Sequence, residues 1–215
     1  MIMSEKLDYF DDKMNYLGTA NREEVHQKGY WHQTFHCWII RNVENEKYVL
    51  FQRRGSEKKS FPNTLDITAA GHLIAGESKE DGLRELNEEL GINAKFENLI
   101  YLGVRMSSAR VGDKLNQEFA HVYLLEWNIP LEKYKLQHDE VSGLVQMELK
   151  DGLDLFSGRK EKVRITGYYV DSRRKLNTVD NEITTSGIIP RIDPYYYKIF
   201  IMAERYFEGN KYLSI

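Results

Sequence analysis

The spacing of apolar and polar positions predicts most of the elements of this chain. Residues 6–19 (KLDYFDDKMNYLGT) read as two short strands around a polar turn, and NREEVHQKG after them as a short helix. HQTFHCWII and EKYVLFQRR are strand-like runs separated by the turn-like NVEN. In the first, Phe35, Cys37 and Ile39 share one face while His36, Trp38 and Ile40 share the other. Bulk on both faces suits a central strand covered on both sides. The loop GSEKKSFPN leads to TLDITAAGH, a β-leaning run closed by small residues. In SKEDGLRELNEELGI, Ser78 is predicted to cap a helix, Glu80 and Asp81 favour its first turn, and Gly91 stands where a C-cap belongs. Leu83, Leu86 and Leu90 give that helix one apolar stripe. Strands follow around NLIYLGVRM and EFAHVYLLEW, with the polar SSARVGDKLNQ as their connection, then a short strand near LVQMEL and a helical LKDGLDLF. An amphipathic helix over 194–208 (YYYKIFIMAERYF and its flanks) closes the pattern. Strands alternating with a few helices, and no internal repeat, predict an α/β or α+β class.

Composition narrows the choice. A chain of 215 residues with 41% hydrophobic and 29% charged residues is globular rather than disordered. The expected organisation is one domain over 1–215, with an N-terminal hairpin at 1–20. A net charge of −3 gives no reason to expect nucleic acid or an anionic membrane as partner. No apolar run approaches the ~18–20 residues that span a bilayer. The start MIMSEKLDYFDDK lacks an apolar signal region, so a cytoplasmic protein is expected. The single cysteine, Cys37, is read as a small buried hydrophobe. Residues 157–192 stand apart: eight Lys/Arg against four Asp/Glu make this stretch +4, which leaves −7 for the rest. It is expected to be an insertion, either a hairpin or a lid that brings Arg159, Lys160, Lys162 or Arg164 to an anionic substrate.

The chemistry concentrates in GHLIAGESKEDGLRELNEELGI. Glu85, Glu88 and Glu89 fall at i, i+3 and i+4, on one helical face. A lone ExxEE is usually a solvated acidic face. Here three like charges would repel by a few tenths of a kcal/mol per pair, a penalty that a hard divalent cation with oxygen ligands reverses.

Gly71, Glu77, Arg84, Glu85, Leu86, Glu88, Glu89, Gly91 and Ile92 occupy the fixed positions of a known signature. The segment resembles the Nudix box, G-x5-E-x7-R-E-U-x-E-E-x-G-U with U aliphatic. One departure is clear: six residues, not seven, separate Glu77 from Arg84. EVHQKGYWHQTFHCWII, FPNTLDITAAGH and NQEFAHVYLLEW extend the likeness over about residues 5–156, toward the Nudix branch most similar to isopentenyl-diphosphate isomerases. The resemblance implies an α/β/α sandwich with a mixed sheet and a loop–helix–loop box. It also implies Mg²⁺- or Mn²⁺-dependent hydrolysis of a nucleoside diphosphate linked to another moiety, a small-molecule diphosphate substrate. Glu85 and Glu89 are then the first-choice metal ligands, with Glu88 third and the Gly71 carbonyl completing the shell. Arg84 would orient Glu77 through a bidentate ion pair. Glu118 matches the further glutamate that many Nudix enzymes draw from a distant segment, as metal ligand or general base; its plainer reading is an ordinary strand-end carboxylate.

Other candidates carry less. His32 and His72 match histidines that hold a divalent metal in the isomerases and His26 lies near a third, but hydrogen-bonded core or loop histidines, His36 among them, are the plainer expectation. Arg53 and Arg54 are candidates for phosphate contact, against the commoner reading as solvent-facing charges. Trp31 and Phe61 are candidates for stacking on a flat group, against core packing. Tyr195–Tyr197 are read as packing or as a homodimer surface. Two alternative functions are weighed. An isomerase is disfavoured because Ala70 stands where the isomerases carry a cysteine before Gly-His, and a non-catalytic Nudix-like binding module because the acidic set is intact.

Overall fold

The computed structural model describes residues 5–112 and 114–215. A first hairpin, β1 (Lys6–Phe10) and β2 (Tyr16–Asn21), runs into helix α1 (Arg22–Lys28). The long strand β3 (Trp31–Val43) then turns into β4 (Glu46–Arg54), and the short β5 (Leu65–Ile67) and β6 (Ala69–His72) lead to helix α2 (Leu83–Leu90). A second hairpin joins β7 (Ile100–Val111) to β8 (Lys114–Glu126). Strand β9 (Val141–Glu148) and helix α3 (Leu149–Phe156) precede the hairpin β10 (Val163–Val170) and β11 (Leu176–Ile183). Helix α4 (Tyr195–Phe207) is the last element. All eleven strands described join one sheet.

Strand β3 is its hub. It pairs antiparallel with β1, β4 and β6, and parallel with β8 from Trp31↔Gln117 to Ile40↔Glu126. The sheet is therefore mixed. The two-faced pattern of β3 places Phe35, Cys37 and Ile39 against Leu86 and Leu90 of α2. Trp38 and Ile40 on its other face join a second core with Ile199, Phe200 and Ala203 of α4. Helix, sheet and helix form three layers, the expected α/β/α arrangement.

Two local expectations need correction, and a third, left open between a hairpin and a lid, is narrowed. Helix α2 starts at Leu83 with Gly82 at its N-cap, not at Ser78. The Ser78 amide and hydroxyl both donate to the Asp81 carboxylate (2.8 and 2.7 Å), which spends the cap on a preceding turn. Gly82 then lies so close to the Phe35 ring that a β-carbon would collide with it. The C-terminal expectation holds, with Gly91 left-handed at φ 67° and its amide bonded to Asn87. Second, much of SSARVGDKLNQ is strand: pairing continues through Ser107↔Glu118 and Arg110↔Leu115. Its alternation was hidden because this end of the hairpin is largely solvated and has no apolar face to betray it. Third, the basic stretch contains the hairpin β10–β11, which extends the sheet by pairing β10 with β9. The four cations expected of a lid have acidic partners: Arg159 with Asp154 (2.7 Å), Lys160 with Asp151 (2.7 Å), Lys162 with Glu182 (2.5 Å) and Arg164 with Asp180 (2.7 Å). No helix among the described residues is long and apolar enough to cross a membrane.

Candidate active site

The box is assembled by the contact of β6 with α2. A β-carbon built on Gly71 would fall inside the Glu85 carboxylate, so only glycine lets the β6 backbone and that carboxylate touch. Glu85 and Glu89, one turn apart, are 9% and 6% exposed. Glu89 accepts a hydrogen bond from the Ala70 amide (3.2 Å). Burial, then the neighbouring Glu85 charge, push the Glu89 carboxyl up to about 8, and burial raises Glu85 as well. Two buried carboxyls at this separation lack positive charge.

Arg84 supplies part of it. Its Nε and Nη2 donate to the two oxygens of Glu77 (3.1 and 3.3 Å), the fork geometry expected of this pair. The missing residue between them is absorbed by successive short turns, in which the Leu83, Arg84 and Glu85 amides bond three residues back. Nη1 of Arg84 lies 2.9 Å from both Glu85 and Glu88. Glu88 is 49% exposed and shares this arginine with Glu85 at the open edge of the buried pair. A divalent cation with oxygen ligands fits Glu85 and Glu89: both are buried, both are acidic, and glycine at 71 lets the β6 backbone come up against the Glu85 carboxylate.

On the other face of β6 the histidines converge. Rings of His26, His32 and His72 lie 5.0–5.3 Å apart, and they bring ligand nitrogens within 4.8 Å of one another. Nδ1–H of His26 donates to the Arg22 carbonyl (2.7 Å) and that of His32 to the Tyr30 carbonyl (3.0 Å). Since a carbonyl can only accept, these bonds fix the tautomers that leave each Nε2 lone pair free. The buried Nε2 atoms of His32 and His72 have no hydrogen-bond partner among the described residues. Burial holds both imidazoles below their usual range, hence neutral and ligand-ready. The plainer expectation of hydrogen-bonded histidines describes His36, bonded to the Tyr195 hydroxyl (3.1 Å), and the Nδ1 side of His26 and His32, while the Nε2 atoms of His32 and His72 are left over. Glu118 stands with the histidines, opposite His32 in the β3–β8 register, and accepts from the Asn116 amide group (2.8 Å).

The remaining candidates scatter. Arg53 lies over the Tyr169 ring (4.2 Å) and donates to Ser142 (3.2 Å). Arg54 binds Asp66 (3.3 Å) and the Ser60 carbonyl. Trp31 stacks on Phe119 (4.7 Å) and Phe61 lies in a loop at 38% exposure. Tyr195 and Tyr196 are buried packing residues. Two groups escaped the sequence reading, Asp66 and Arg191, joined at 2.8 Å across 125 positions with no local pattern to announce them.

Comparisons with known proteins show the family to which such a box belongs. The family profile described as the NUDIX domain matches residues 31–166. The chain belongs to the Nudix family and is an enzyme of its pyrophosphohydrolase class. Among its relatives is an uncharacterised Nudix hydrolase of Clostridium acetobutylicum, 38% identical, covering 93% of this chain and 96% of that one. An isopentenyl-diphosphate Delta-isomerase of Aliivibrio fischeri is 30% identical over 72% of this chain and 90% of its own length. The crystal structure of DR0079 from Deinococcus radiodurans superimposes with a TM-score of 0.52 at 20% identity, over 72% of this chain and 90% of the other; it supports the fold.

Proposed function

We propose that this protein hydrolyses the diphosphate linkage of a nucleoside diphosphate joined to another moiety, using Mg²⁺ or Mn²⁺. The observation that carries the proposal is the buried Glu85–Glu89 pair held against Gly71. A bound divalent cation would supply charge neutralisation at a diphosphate that otherwise repels incoming water. Glu85 and Glu89 are its protein ligands in this reading, and the Gly71 carbonyl is a third. Arg84, fixed by Glu77, holds Glu85 in place and carries positive charge to the edge of the site. Water adds to one phosphorus, the bridging P–O bond breaks, and the departing phosphate leaves with that oxygen. Glu85 or Glu118 takes the proton of the attacking water.

The similarity to an isomerase makes a second reaction worth separating. Isomerisation of isopentenyl diphosphate moves a proton between carbons and needs an acid at the alkene. Ala70 has no proton to give. Cys37 cannot replace it: it pairs in register with Ala69, lies in the core on the α2 side of β3, and its thiol is raised by burial. Nucleoside diphosphate derivatives and isopentenyl diphosphate, incubated separately with Mg²⁺ or Mn²⁺, decide between the two. Nucleoside monophosphate or phosphate release from the first set, with no dimethylallyl diphosphate from the second, is the expected result. Clear formation of dimethylallyl diphosphate with no hydrolysis of the others overturns the proposal.

A further inference from the structure

The segment just before α4 carries a feature that the box does not use. Ile188 bridges in parallel to Leu65 of β5, and the Ile189 amide donates to the Leu65 carbonyl (3.0 Å), so this strap is bound to the sheet. Between the strap, the end of α3 and the first turn of α4 lies a cavity of about 410 Å³, within the usual range of small-molecule sites. Its walls are mostly apolar and aromatic, among them Phe156, Ile188, Pro190, Tyr196 and Tyr197. Phe156 and Tyr196 stack on one another (5.3 Å, 22°). The acid in the wall, Asp193, is already neutralised by Arg105 through two hydrogen bonds (3.0 and 2.5 Å).

Arg191 is the cation of the lining. Its Nη2 lies 2.8 Å from one oxygen of Asp66, and the other Asp66 oxygen is 3.3 Å from Arg54. Two guanidinium groups thus share one carboxylate, which leaves a surplus positive charge in a place where Asp66 is 8% exposed and Arg191 18%. Asp66 lies on β5, four residues before Ala70 of β6, whose amide donates to Glu89 (3.2 Å), and Tyr195 in the cavity wall bonds His36 of β3 (3.1 Å). The cationic end of the cavity therefore sits on β5, the strand that leads directly into the β6 side of the site.

Building on the proposed diphosphate hydrolysis, we infer that Arg191 binds the phosphate of the substrate and that the cavity takes the flat, largely apolar organic group attached to it, of the size and character of a nucleobase. The partly exposed Phe156 and Tyr197 and the exposed Pro190 offer apolar contact to such a group, and the exposed Thr185 and Ser186 at the wall offer a few hydroxyls. A sugar with many hydroxyls would find too few polar partners there.

Calorimetry in Mg²⁺ with two hydrolysis-resistant probes tests this. α,β-Methylene-ADP carries both the phosphonates and the base, while methylenediphosphonate carries the charged part alone. Arg191→Gln should weaken both at least about 10-fold, and Arg191→Lys should recover part of the loss. Ser186→Trp, an exposed site at the cavity wall, should weaken α,β-methylene-ADP at least about 10-fold and leave methylenediphosphonate within about 2-fold. In turnover, Arg191→Gln should raise KM with kcat held within a few-fold. Unchanged binding of both probes by folded R191Q, or equal effects of S186W on both probes, overturns the inference. If wild type hydrolyses diphosphates while these variants bind normally, this inference fails alone. If wild type binds as expected but hydrolyses nothing, the hydrolase proposal fails alone.

Discussion

The carboxylate pair on α2 and the histidine trio both converge on β6, yet they solve opposite problems. Glu85 and Glu89 come from a single helical turn, whereas the histidines are gathered from α1, β3 and β6. Burial raises the two acids and depresses the imidazoles of His32 and His72, so these buried groups tend toward neutrality when nothing is bound. For the acids that neutral form is the wrong one for a cation, and binding must expel a proton; for the histidines it is the right one. His72 joins the two regions, with its ring in the trio and its carbonyl accepting from Arg84 Nη2 (3.3 Å). The difference teaches that an ion held by the acids, as proposed, would be strongly coupled to pH, and one held by the histidines much less so near neutrality.

The widest separation should appear in turnover. Glu85→Gln and Glu89→Gln are each expected to lower kcat at least ~10²-fold, because the charge that neutralises the diphosphate is lost. Glu88→Gln, which removes only an exposed partner of Arg84, should stay within a few-fold. Steady-state assays at saturating Mg²⁺ check both, and equal effects of all three substitutions would erase the distinction between buried and exposed acids.

Stability in chelator gives the next largest effect. Folded Glu89 keeps its proton to about pH 8, against an ordinary value of 4.5. The native state therefore binds more protons than the unfolded state across that interval, and this group's contribution to stability falls as pH rises from about 4.5 to about 8. Wild type should lose a few kcal/mol relative to Glu89→Gln over the same window. Buried histidines produce the opposite slope, but they do so in both proteins and cancel in the difference. Urea titrations at pH 5, 6.5 and 8 measure it, and parallel curves would show that Glu89 is ionised without metal.

At the histidines, His32→Gln or His72→Gln should weaken a second bound Mn²⁺ or Zn²⁺ about 10–100-fold, with the first ion retained. Metal analysis of equilibrated, desalted protein reads the stoichiometry; an unchanged count after both substitutions would remove the trio from the ion sites. The smallest effect is expected at the basic hairpin. Arg164→Ala breaks an exposed pair with Asp180 and should cost less than about 1 kcal/mol, without moving KM. A large rise in KM would restore the lid reading of this stretch.

What the sequence made legible follows from distance along the chain. The box could be read because Arg84, Glu85, Glu88 and Glu89 lie within two turns, and β3 because its alternation carries bulk on both faces. Ser78 misled because the same residue type that caps a helix also closes a turn on Asp81. The trio was visible as residues but not as a cluster, since α1, β3 and β6 meet only through the sheet. Asp66 and Arg191 left no trace at all, because nothing in either neighbourhood depends on the other until the strap docks on β5.

The parallel pairing of β3 with β8 bears on how quickly such a site can come into being. His32 and Glu118 are register partners, although 86 residues separate them in sequence. A contact of that span gains nothing until a large loop has closed, and topologies dominated by such contacts cross their folding barrier slowly. A nascent chain that has emerged only through Ile92 already contains every residue of the Nudix box, but not the strand that completes the sheet beside His32. The carboxylate turn can form early and locally; the histidine side waits for β8. During that interval one long edge of β3, from Trp31 to Ile40, has unsatisfied amides and carbonyls and is open to pairing with a strand of another chain. The vulnerable period of this enzyme is therefore set by the arrival of residues 117–126, long after the residues of its acidic centre have been made.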